Sequence, residues 1–205
     1  MNNTSIQGMF PQVLSVKSLE LDVNEISNFC YELKNSDPSG AIKSNRGGWQ
    51  SDNFNTDSIQ NLELNKFFDK ILVAINEISC EMGIIPKLNI DNVWININGY
   101  KNYNVSHVHA GSILSGVFYV KTPENCGEIS FENPVGTLME SYLQYWHLRD
   151  QINYNPWTAH AWKVPCKENT LILFPAWIKH SVEQNLNETE DRISISFNTR
   201  LMYER

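Results

Sequence analysis

The sequence predicts an α+β domain built on an antiparallel β-sandwich or barrel. Both predicted helices lie in the first 90 residues. The later segments instead alternate apolar and polar residues with the period of two that a half-buried strand requires. Helices and strands do not alternate along the chain, so a parallel α/β fold is not indicated. Short strands that follow one another between turn residues are typical of antiparallel sheets.

Two helices are predicted after a first strand at residues 10–17. Residues 21–33 place apolar side chains on one helical face, with Asp22 or Asn24 as the N-cap. Residues 58–82 give the clearer helix, with apolar residues at helical spacing: Leu62, Leu64, Phe67, Phe68, Ile71, Leu72, Ile75 and Ile78. An amphipathic helix buries its apolar face, so we expect this helix to pack on the sheet.

The predicted strands of the remaining chain are residues 90–98, 112–121, 128–132, 170–174, 178–182 and 192–199. In the first of these, one face is apolar and the other is mostly polar: Val93, Ile95 and Ile97 against Trp94, Asn96 and Asn98. Successive side chains of a strand point to opposite faces. The apolar set is therefore expected to face a core.

Residues 135–162 have no clear period and are rich in aromatic side chains: Tyr142, Tyr145, Trp146, Tyr154 and Trp157. Such a loop can form a lid or a substrate wall, and it can equally pack its own aromatic rings over the sheet. We expect a single domain over residues 1–205, with a strand and helices in 1–90, a β core in 91–205 and an irregular insert at 135–162.

Composition excludes some classes of protein. Hydrophobic residues make up 41% and charged residues 19% of the 205 residues, so the chain can bury a sizeable core and is not compositionally disordered. The formal net charge is −7, and no run is rich in Lys or Arg. This balance argues against nucleic-acid binding by phosphate neutralisation.

The cysteines indicate a reducing compartment. Cys30, Cys80, Cys126 and Cys166 form no CxxC pair, so a zinc knuckle is not indicated and free thiols are expected. The N-terminus has no basic segment followed by an apolar one, and no apolar run reaches the roughly 20 residues that span a bilayer. We therefore expect a cytoplasmic protein.

Three histidines form a candidate metal site. His107 and His109 are two residues apart, a spacing that points both imidazoles to one side of a strand. His180 follows a buried strand and a turn. Three ligands on adjacent strands would leave coordination positions open for substrate and oxygen, as in the facial triad of non-haem Fe(II) enzymes. His147 and His160 lie in the irregular segment and are expected at the surface or in a lid.

Arg192 opens the last strand, and the alternate residues after it are polar: Ser194, Ser196 and Asn198. A permanent charge that points into a barrel mouth requires an anion. A carboxylate co-substrate would supply one through a bidentate pair. The alternative is a surface salt bridge to Glu190 or Asp191.

Six motifs occur in a fixed order: GGWQS at 47–51, WININ at 94–98, HVHAGSILSGVFYV at 107–120, GEISFENP at 127–134, FPAWIKHSV at 174–182 and RISISFN at 192–198. Each motif is weak by itself, but together they resemble a family of 2-oxoglutarate–Fe(II) oxygenases found in bacteria and phages. The likeness extends from about residue 45 to residue 200.

The resemblance implies a double-stranded β-helix of the jelly-roll or cupin-like kind, with N-terminal helices on its major sheet. It implies that His107 and His180 hold Fe(II) and that Arg192 binds the far carboxylate of 2-oxoglutarate. Inward residues of neighbouring strands would help to hold the co-substrate: Asn96, Asn98, Tyr119 and Ser194. The implied reaction hydroxylates a substrate and forms succinate and CO2.

One position departs from the wider superfamily, in which the second ligand is Asp or Glu. Position 109 is His. Either His109 ligates the metal, a nearby acid such as Glu128 or Glu132 replaces it, or the site has two protein ligands. We expect His109 to ligate, because the spacing to His107 already directs it to the metal.

Two other functions remain open from the residues. One is a cupin-like metalloenzyme that does not use 2-oxoglutarate, although the Glu expected shortly after HxH is absent. The other is a non-catalytic β-sandwich binding module. The expected partners are a small-molecule or peptide substrate and, for a homodimer, a second copy of the chain; nucleic acid and membrane are not expected.

Overall fold

The computed structural model describes residues 5, 8–54, 61–136, 138 and 155–202. Two helices and eleven strands lie in these ranges. In chain order they are β1 (Ser15–Ser18), α1 (Val23–Ser36), β2 (Asn45–Arg46), β3 (Trp49–Gln50), α2 (Leu62–Glu81), β4 (Leu88–Asn98), β5 (Tyr103–His107), β6 (Leu114–Lys121), β7 (Glu128–Glu132), β8 (Ala161–Pro165), β9 (Thr170–Pro175), β10 (His180–Val182) and β11 (Arg192–Leu201).

Side-chain caps determine where the helices begin. The Asp22 carboxylate accepts hydrogen bonds from the backbone N–H groups of Asn24 and Glu25, so Asp22 is the N-cap of α1. Asn61 caps α2 in the same way by accepting from the N–H of Leu64. The predicted start of this helix at residue 58 lies outside the described residues.

The strands form two antiparallel sheets, as predicted. The major sheet has the order β1-β9-β6-β11-β4-β3, and the minor sheet has the order β2-β5-β10-β7-β8. Consecutive strands of the chain therefore often belong to different sheets, which is the arrangement of a double-stranded β-helix. The predicted fold class, an α+β jelly roll, is confirmed.

The core has two parts. The larger part lies between the helices and the outer face of the major sheet, where Ile26, Phe67 and Ile95 are all fully buried. The smaller part lies between the two sheets. Because the side chains of β4 alternate, Ile95 and its apolar neighbours pack toward the helices while the polar face of β4 points between the sheets. The helices thus cover the major sheet, as expected.

The last two residues of the predicted irregular insert, 135–162, belong to a strand. Residues 161–165 form strand β8, which pairs with β7 from Glu128↔Pro165 to Glu132↔Ala161. Strand β8 is an edge strand with no buried residue, so the hydrophobic alternation that identifies strands is weak there. The aromatic residues predicted to form a lid or wall, Trp157 excepted, lie outside the described residues.

The first strand was also predicted too long, since β1 begins at Ser15 rather than at residue 10. A close contact requires glycine at position 116 of the major sheet, because a Cβ there would lie 2.3 Å from the ring of Phe197. Within the described part of the chain, no helix is long and apolar enough to cross a membrane.

Candidate metal centre

Three histidines meet between the sheets. His107 is the last residue of β5 and His180 is the first of β10, and the two are directly opposite each other in the antiparallel pair. Their ring centroids are 4.4 Å apart. One ring nitrogen from each of His107, His109 and His180 lies within 4.8 Å of the others. A spacing of this kind allows three imidazoles to share one divalent ion.

His109 reaches the cluster in a different way from the one predicted. It lies two residues beyond the end of β5, so the alternation of a strand does not set its direction. A backbone contact does so instead, because the His109 N–H donates to the carbonyl of Ala176 at 3.0 Å. This contact brings the His109 Nε2 to 3.3 Å from the Nε2 of His180.

Backbone carbonyls fix which nitrogen two of the histidines present. The Nδ1 of His107 donates to the carbonyl of Val105 at 2.7 Å, and the Nδ1 of His180 donates to that of Ile178 at 2.9 Å. Each Nε2 is therefore left with its lone pair directed to the cluster. Hydrogen bonds of this type orient metal-binding histidines and raise their basicity.

The cluster is electrostatically suited to a cation. Burial lowers the pKa of His180 to about 3, and burial together with His107 lowers the pKa of His109 to about 4. Burial also lowers the pKa of His107. The rings are thus neutral at pH 7, and a neutral imidazole is the form that binds a metal ion.

The carboxylates that could replace His109 point elsewhere. Glu132 accepts a hydrogen bond from Ser106 and pairs with Lys179 at 3.0 Å. Glu128 lines a separate groove that contains none of the three histidines. Among the described residues, the metal-binding group contains three imidazoles and no acid.

Arg192 is buried and held by backbone carbonyls. Its side chain is 1% exposed, and its Nη1 donates to the carbonyls of Cys126 and Glu183, the latter at 2.9 Å. Its Nη2 has no hydrogen-bond partner within the described ranges. The alternative of a surface salt bridge is wrong, because Glu190 pairs with Lys121 and Asp191 accepts from Tyr31.

One narrow cavity connects the histidines with Arg192. All the other predicted co-substrate residues line it: Asn96, Asn98, Tyr119 and Ser194. The Oδ1 atoms of Asn96 and Asn98 and the Oη of Tyr119 are buried there without a partner in the described structure. Buried polar groups are normally satisfied. The Oη of Tyr119 and the Nη2 of Arg192 can donate to an anionic ligand, whereas the Oδ1 atoms of Asn96 and Asn98 can only accept hydrogen bonds.

The cavity measures about 40 Å³, which is room for roughly three water molecules. A five-carbon dicarboxylate must therefore displace side chains as it enters. With that adjustment, the donor set fits both groups: neutral imidazoles for Fe(II) and a buried guanidinium for a carboxylate.

The fold and the site together define a metal-dependent oxygenase of the double-stranded β-helix class. The family described as "Putative 2OG-Fe(II) oxygenase" matches residues 92–198, just over half of the chain. The chain belongs to this family. It is therefore a 2-oxoglutarate- and Fe(II)-dependent oxygenase, and the non-catalytic binding module is not supported.

Solved structures show the same fold at low identity. A Pseudomonas putida prolyl-4-hydroxylase is 12% identical, with 94% of each chain covered and a TM-score of 0.62. A Trichoplax adhaerens prolyl hydroxylase, in complex with a peptide fragment of hypoxia inducible factor, is 12% identical over 91% of this chain and 82% of that one, with a TM-score of 0.58.

A third similar structure is HygX from Streptomyces hygroscopicus, solved with nickel, 2-oxoglutarate and hygromycin B. It is 10% identical over 94% of this chain and 84% of that one, with a TM-score of 0.58. No curated protein sequence matches the chain.

Sequence reasoning missed several residues of this cavity, and two of them contact predicted site residues. Trp94 lines it and stacks on His109, with ring centroids 5.6 Å apart. Its position on the same face of β4 as Asn96 and Asn98 was the signal that could have identified it. Asn104 accepts a hydrogen bond from Asn98 at 3.2 Å, and no sequence pattern pointed to it.

Proposed function

We propose that His107, His109 and His180 bind Fe(II) and that Arg192 binds the far carboxylate of 2-oxoglutarate. One observation carries this proposal: the cavity between the sheets contains the three imidazoles and the unpartnered Nη2 of a buried arginine. Neutral carbonyls bind the Nη1 of this arginine, but a buried charge is strongly disfavoured unless an opposite charge pairs with it.

The register of the major sheet separates the histidine cluster from the guanidinium of Arg192. On strand β4, Trp94 contacts His109 and Asn98 is the cross-strand partner of Arg192. Trp94 and Asn98 are four residues apart. Four residues of a strand span roughly 13 Å. Histidines and guanidinium therefore occupy opposite ends of the cavity, as a ligand with a metal-binding end and a carboxylate end requires.

Charge supports the same assignment. Three neutral imidazoles leave the full charge of a divalent metal in place, and Arg192 adds one more positive charge. The dianion of 2-oxoglutarate offsets most of this charge, whereas a carboxylate at position 109 would already have offset part of it. The His109 ligand set is thus suited to an anionic co-substrate.

Side chains of this protein position and shield the ligands. The Arg192 fork is held by the carbonyls of Cys126 and Glu183, so Nη2 has a fixed direction. Tyr119 and Asn98 offer neutral polar atoms beside it, and Phe174 and Ile129 exclude water from the cavity wall. When bound, Fe(II) with 2-oxoglutarate and oxygen supplies oxidation of a substrate C–H bond, with succinate and CO2 as products.

The substrate class that we propose is a peptide or a small molecule. The similar structures include prolyl hydroxylases and one with hygromycin B bound. The net charge of −7 disfavours nucleic acid.

We also propose a single domain over residues 1–205, a cytoplasmic location in keeping with the free cysteines, and a homodimer as the assembly to be tested.

The test is an anaerobic titration of the purified protein with Fe(II) and then with 2-oxoglutarate, followed by a succinate assay in air. We expect one Fe(II) per chain, the visible absorption band of a 2-oxoglutarate chelate, and slow succinate formation. The Arg200→Lys variant is the control for Arg192→Lys, because Arg200 lies on the same strand but is exposed. Stoichiometric iron without any effect of 2-oxoglutarate would favour the cupin-like alternative.

A further inference from the structure

Two cysteines that are distant in sequence lie side by side at one end of the minor sheet. Cys126 comes just before β7 and Cys166 comes just after β8, and Glu128 and Pro165 of these strands are directly paired. Both cysteines line an open groove of about 1110 Å³, which contains none of the three histidines. Cys126 is buried and Cys166 is partly buried, so the groove is the side from which a small oxidant would reach them.

The thiols are close enough to affect each other. A hydrogen bond with Cys166, and then the positive charge of Arg192, lower the pKa of Cys126 to about 7. Burial raises the pKa of Cys166. The pair thus combines a thiol that ionises readily with a neighbour that remains protonated, whereas burial raises the pKa of Cys30, which lies in the helix–sheet core.

The same segment holds the proposed co-substrate arginine. The carbonyl of Cys126 accepts from the Arg192 Nη1, which also donates to the carbonyl of Glu183. Gly127 packs directly on the chain beside Glu183, since a Cβ at Gly127 would lie 2.7 Å from the carbonyl oxygen of Gln184. The two backbone acceptors of the guanidinium therefore belong to one tightly packed unit that carries Cys126.

We propose that Cys126 and Cys166 are a redox-active pair that hydrogen peroxide converts into a disulfide, and that this disulfide weakens 2-oxoglutarate binding through Arg192. The second half of the proposal rests on the proposed function of Arg192. The first half does not, because the sulfur chemistry is independent of the metal site.

The chemistry balances with peroxide as the oxidant. The Cys126 thiolate attacks one peroxide oxygen, so an S–O bond forms, the O–O bond breaks and hydroxide leaves, to be protonated to water. The Cys166 sulfur then attacks the Cys126 sulfur, so the S–S bond forms and the S–O bond breaks. A second water leaves with the Cys166 proton. Two thiols lose two electrons, and one peroxide gains them.

Two effects on Arg192 have opposite signs. A disulfide requires a sulfur–sulfur distance of about 2.05 Å, so the backbone at Cys126 must move and its carbonyl no longer holds the guanidinium as before. Oxidation also removes the thiolate charge beside Arg192, and that loss favours an incoming anion. We expect the movement to dominate, because the guanidinium has few fixed acceptors and the thiolate is only partly formed near pH 7.

The experiment treats the full-length protein with stoichiometric hydrogen peroxide and maps its peptides by mass spectrometry. We expect one cross-link between Cys126 and Cys166, which dithiothreitol reverses. The Cys80→Ser variant is the matched control, because Cys80 is an exposed cysteine on α2. It should form the same cross-link, whereas Cys126→Ser and Cys166→Ser should not. Two intact thiols at these positions, under conditions that oxidise Cys80, would overturn the proposal.

Affinity for 2-oxoglutarate is then measured on the metal-loaded protein without oxygen. We expect the oxidised form to bind at least about tenfold more weakly than the reduced form, as loss of a hydrogen bond to a charged group predicts. The reduced Cys126→Ser variant isolates the charge effect, since it has no thiolate and no cross-link. Equal or tighter binding by the cross-linked protein would reject the link to Arg192. If the reduced wild type does not bind 2-oxoglutarate, the proposed function of Arg192 is rejected. The cross-link is tested separately, by the peptide mapping described above.

Discussion

The indole of Trp94 stacks on the imidazole of His109, with ring centroids 5.6 Å apart and an interplanar angle of 30°. His109 differs from the other two histidines of the cluster. Its Nδ1 makes no hydrogen bond to any described residue, whereas His107 and His180 each use Nδ1 to bond a backbone carbonyl. The backbone contact to Ala176 places His109 in the cluster, and the stacking contact with Trp94 helps to hold its ring there.

Replacing this indole is expected to weaken metal binding without preventing it. Groups that orient a metal ligand typically contribute 10- to 100-fold in affinity, and we expect Trp94→Leu to reduce affinity for Co(II) about tenfold. Trp94→Phe retains an aromatic face and should bind nearly as well as the wild type. The measurement is an anaerobic absorption titration, with Trp162→Phe on the edge strand as control. Wild-type affinity in Trp94→Leu would show that stacking does not position His109.

Substituting each histidine in turn should rank the contributions of His107, His109 and His180 to metal affinity. We expect His107→Ala and His180→Ala to abolish stoichiometric metal binding, and His109→Ala to weaken it by a smaller factor, because two oriented ligands remain. Calorimetric titration with Co(II) measures this order. Unchanged affinity in His109→Ala would mean that the site has two protein ligands.

His109→Asp tests the unusual ligand directly. A carboxylate at this position restores a negative charge beside the metal, so we expect metal binding to persist while the affinity for the 2-oxoglutarate dianion falls several-fold, in proportion to roughly 1 kcal/mol of lost attraction. The affinity is measured by the chelate absorption band. An increase in 2-oxoglutarate affinity would contradict the charge argument made for three imidazoles.

Arg192→Lys should separate co-substrate binding from metal binding. Lysine keeps the charge but has a single nitrogen and no planar fork, so it cannot bind the two carbonyls through one nitrogen and present a second nitrogen to the carboxylate. We expect at least tenfold weaker 2-oxoglutarate binding, with metal affinity unchanged. Thermal unfolding is measured in parallel, because the side chain is fully buried. Arg200→Lys, on the exposed end of the same strand, should leave both affinities unchanged.

The Glu132 carboxylate gives a stability prediction with a definite sign. A hydrogen bond from Ser106 and the charge of Lys179 lower its pKa below the ordinary value of 4.5. The stability that it contributes is therefore present above pH 4.5 and is lost as the pH falls through the lower, folded value. Urea unfolding should show the wild type more stable than Glu132→Gln near pH 7, with the difference shrinking below pH 4.5 and disappearing below the folded pKa of Glu132.

The exposed position of Glu132 makes this difference small. Glu188→Gln, at an exposed position in the loop before β11, is the matched control for loss of one carboxylate and is measured under the same conditions. A difference that grows on acidification would contradict the assigned direction of the shift.

Elements with strong local signals were predictable. The spacing of apolar residues in α2 and the alternation in β4 appear in the structure close to the predicted residues. Strand β8 was missed because edge strands lack a buried face and so lose that signal. His109 was placed in the correct cluster for the wrong reason, since a contact to Ala176 and not strand geometry directs it.

The sequence by itself determined the fold class, the two faces of β4, the family resemblance and the residue types able to bind metal and carboxylate, because these depend on local periodicity and on side-chain chemistry. Only the tertiary structure decided that His107 faces His180, that Trp94 stacks on His109 and that Cys126 meets Cys166 beside Arg192. These pairs lie on different strands or their loops. Strand order and register bring them together through long-range hydrogen bonds and burial, and no short sequence window contains that information.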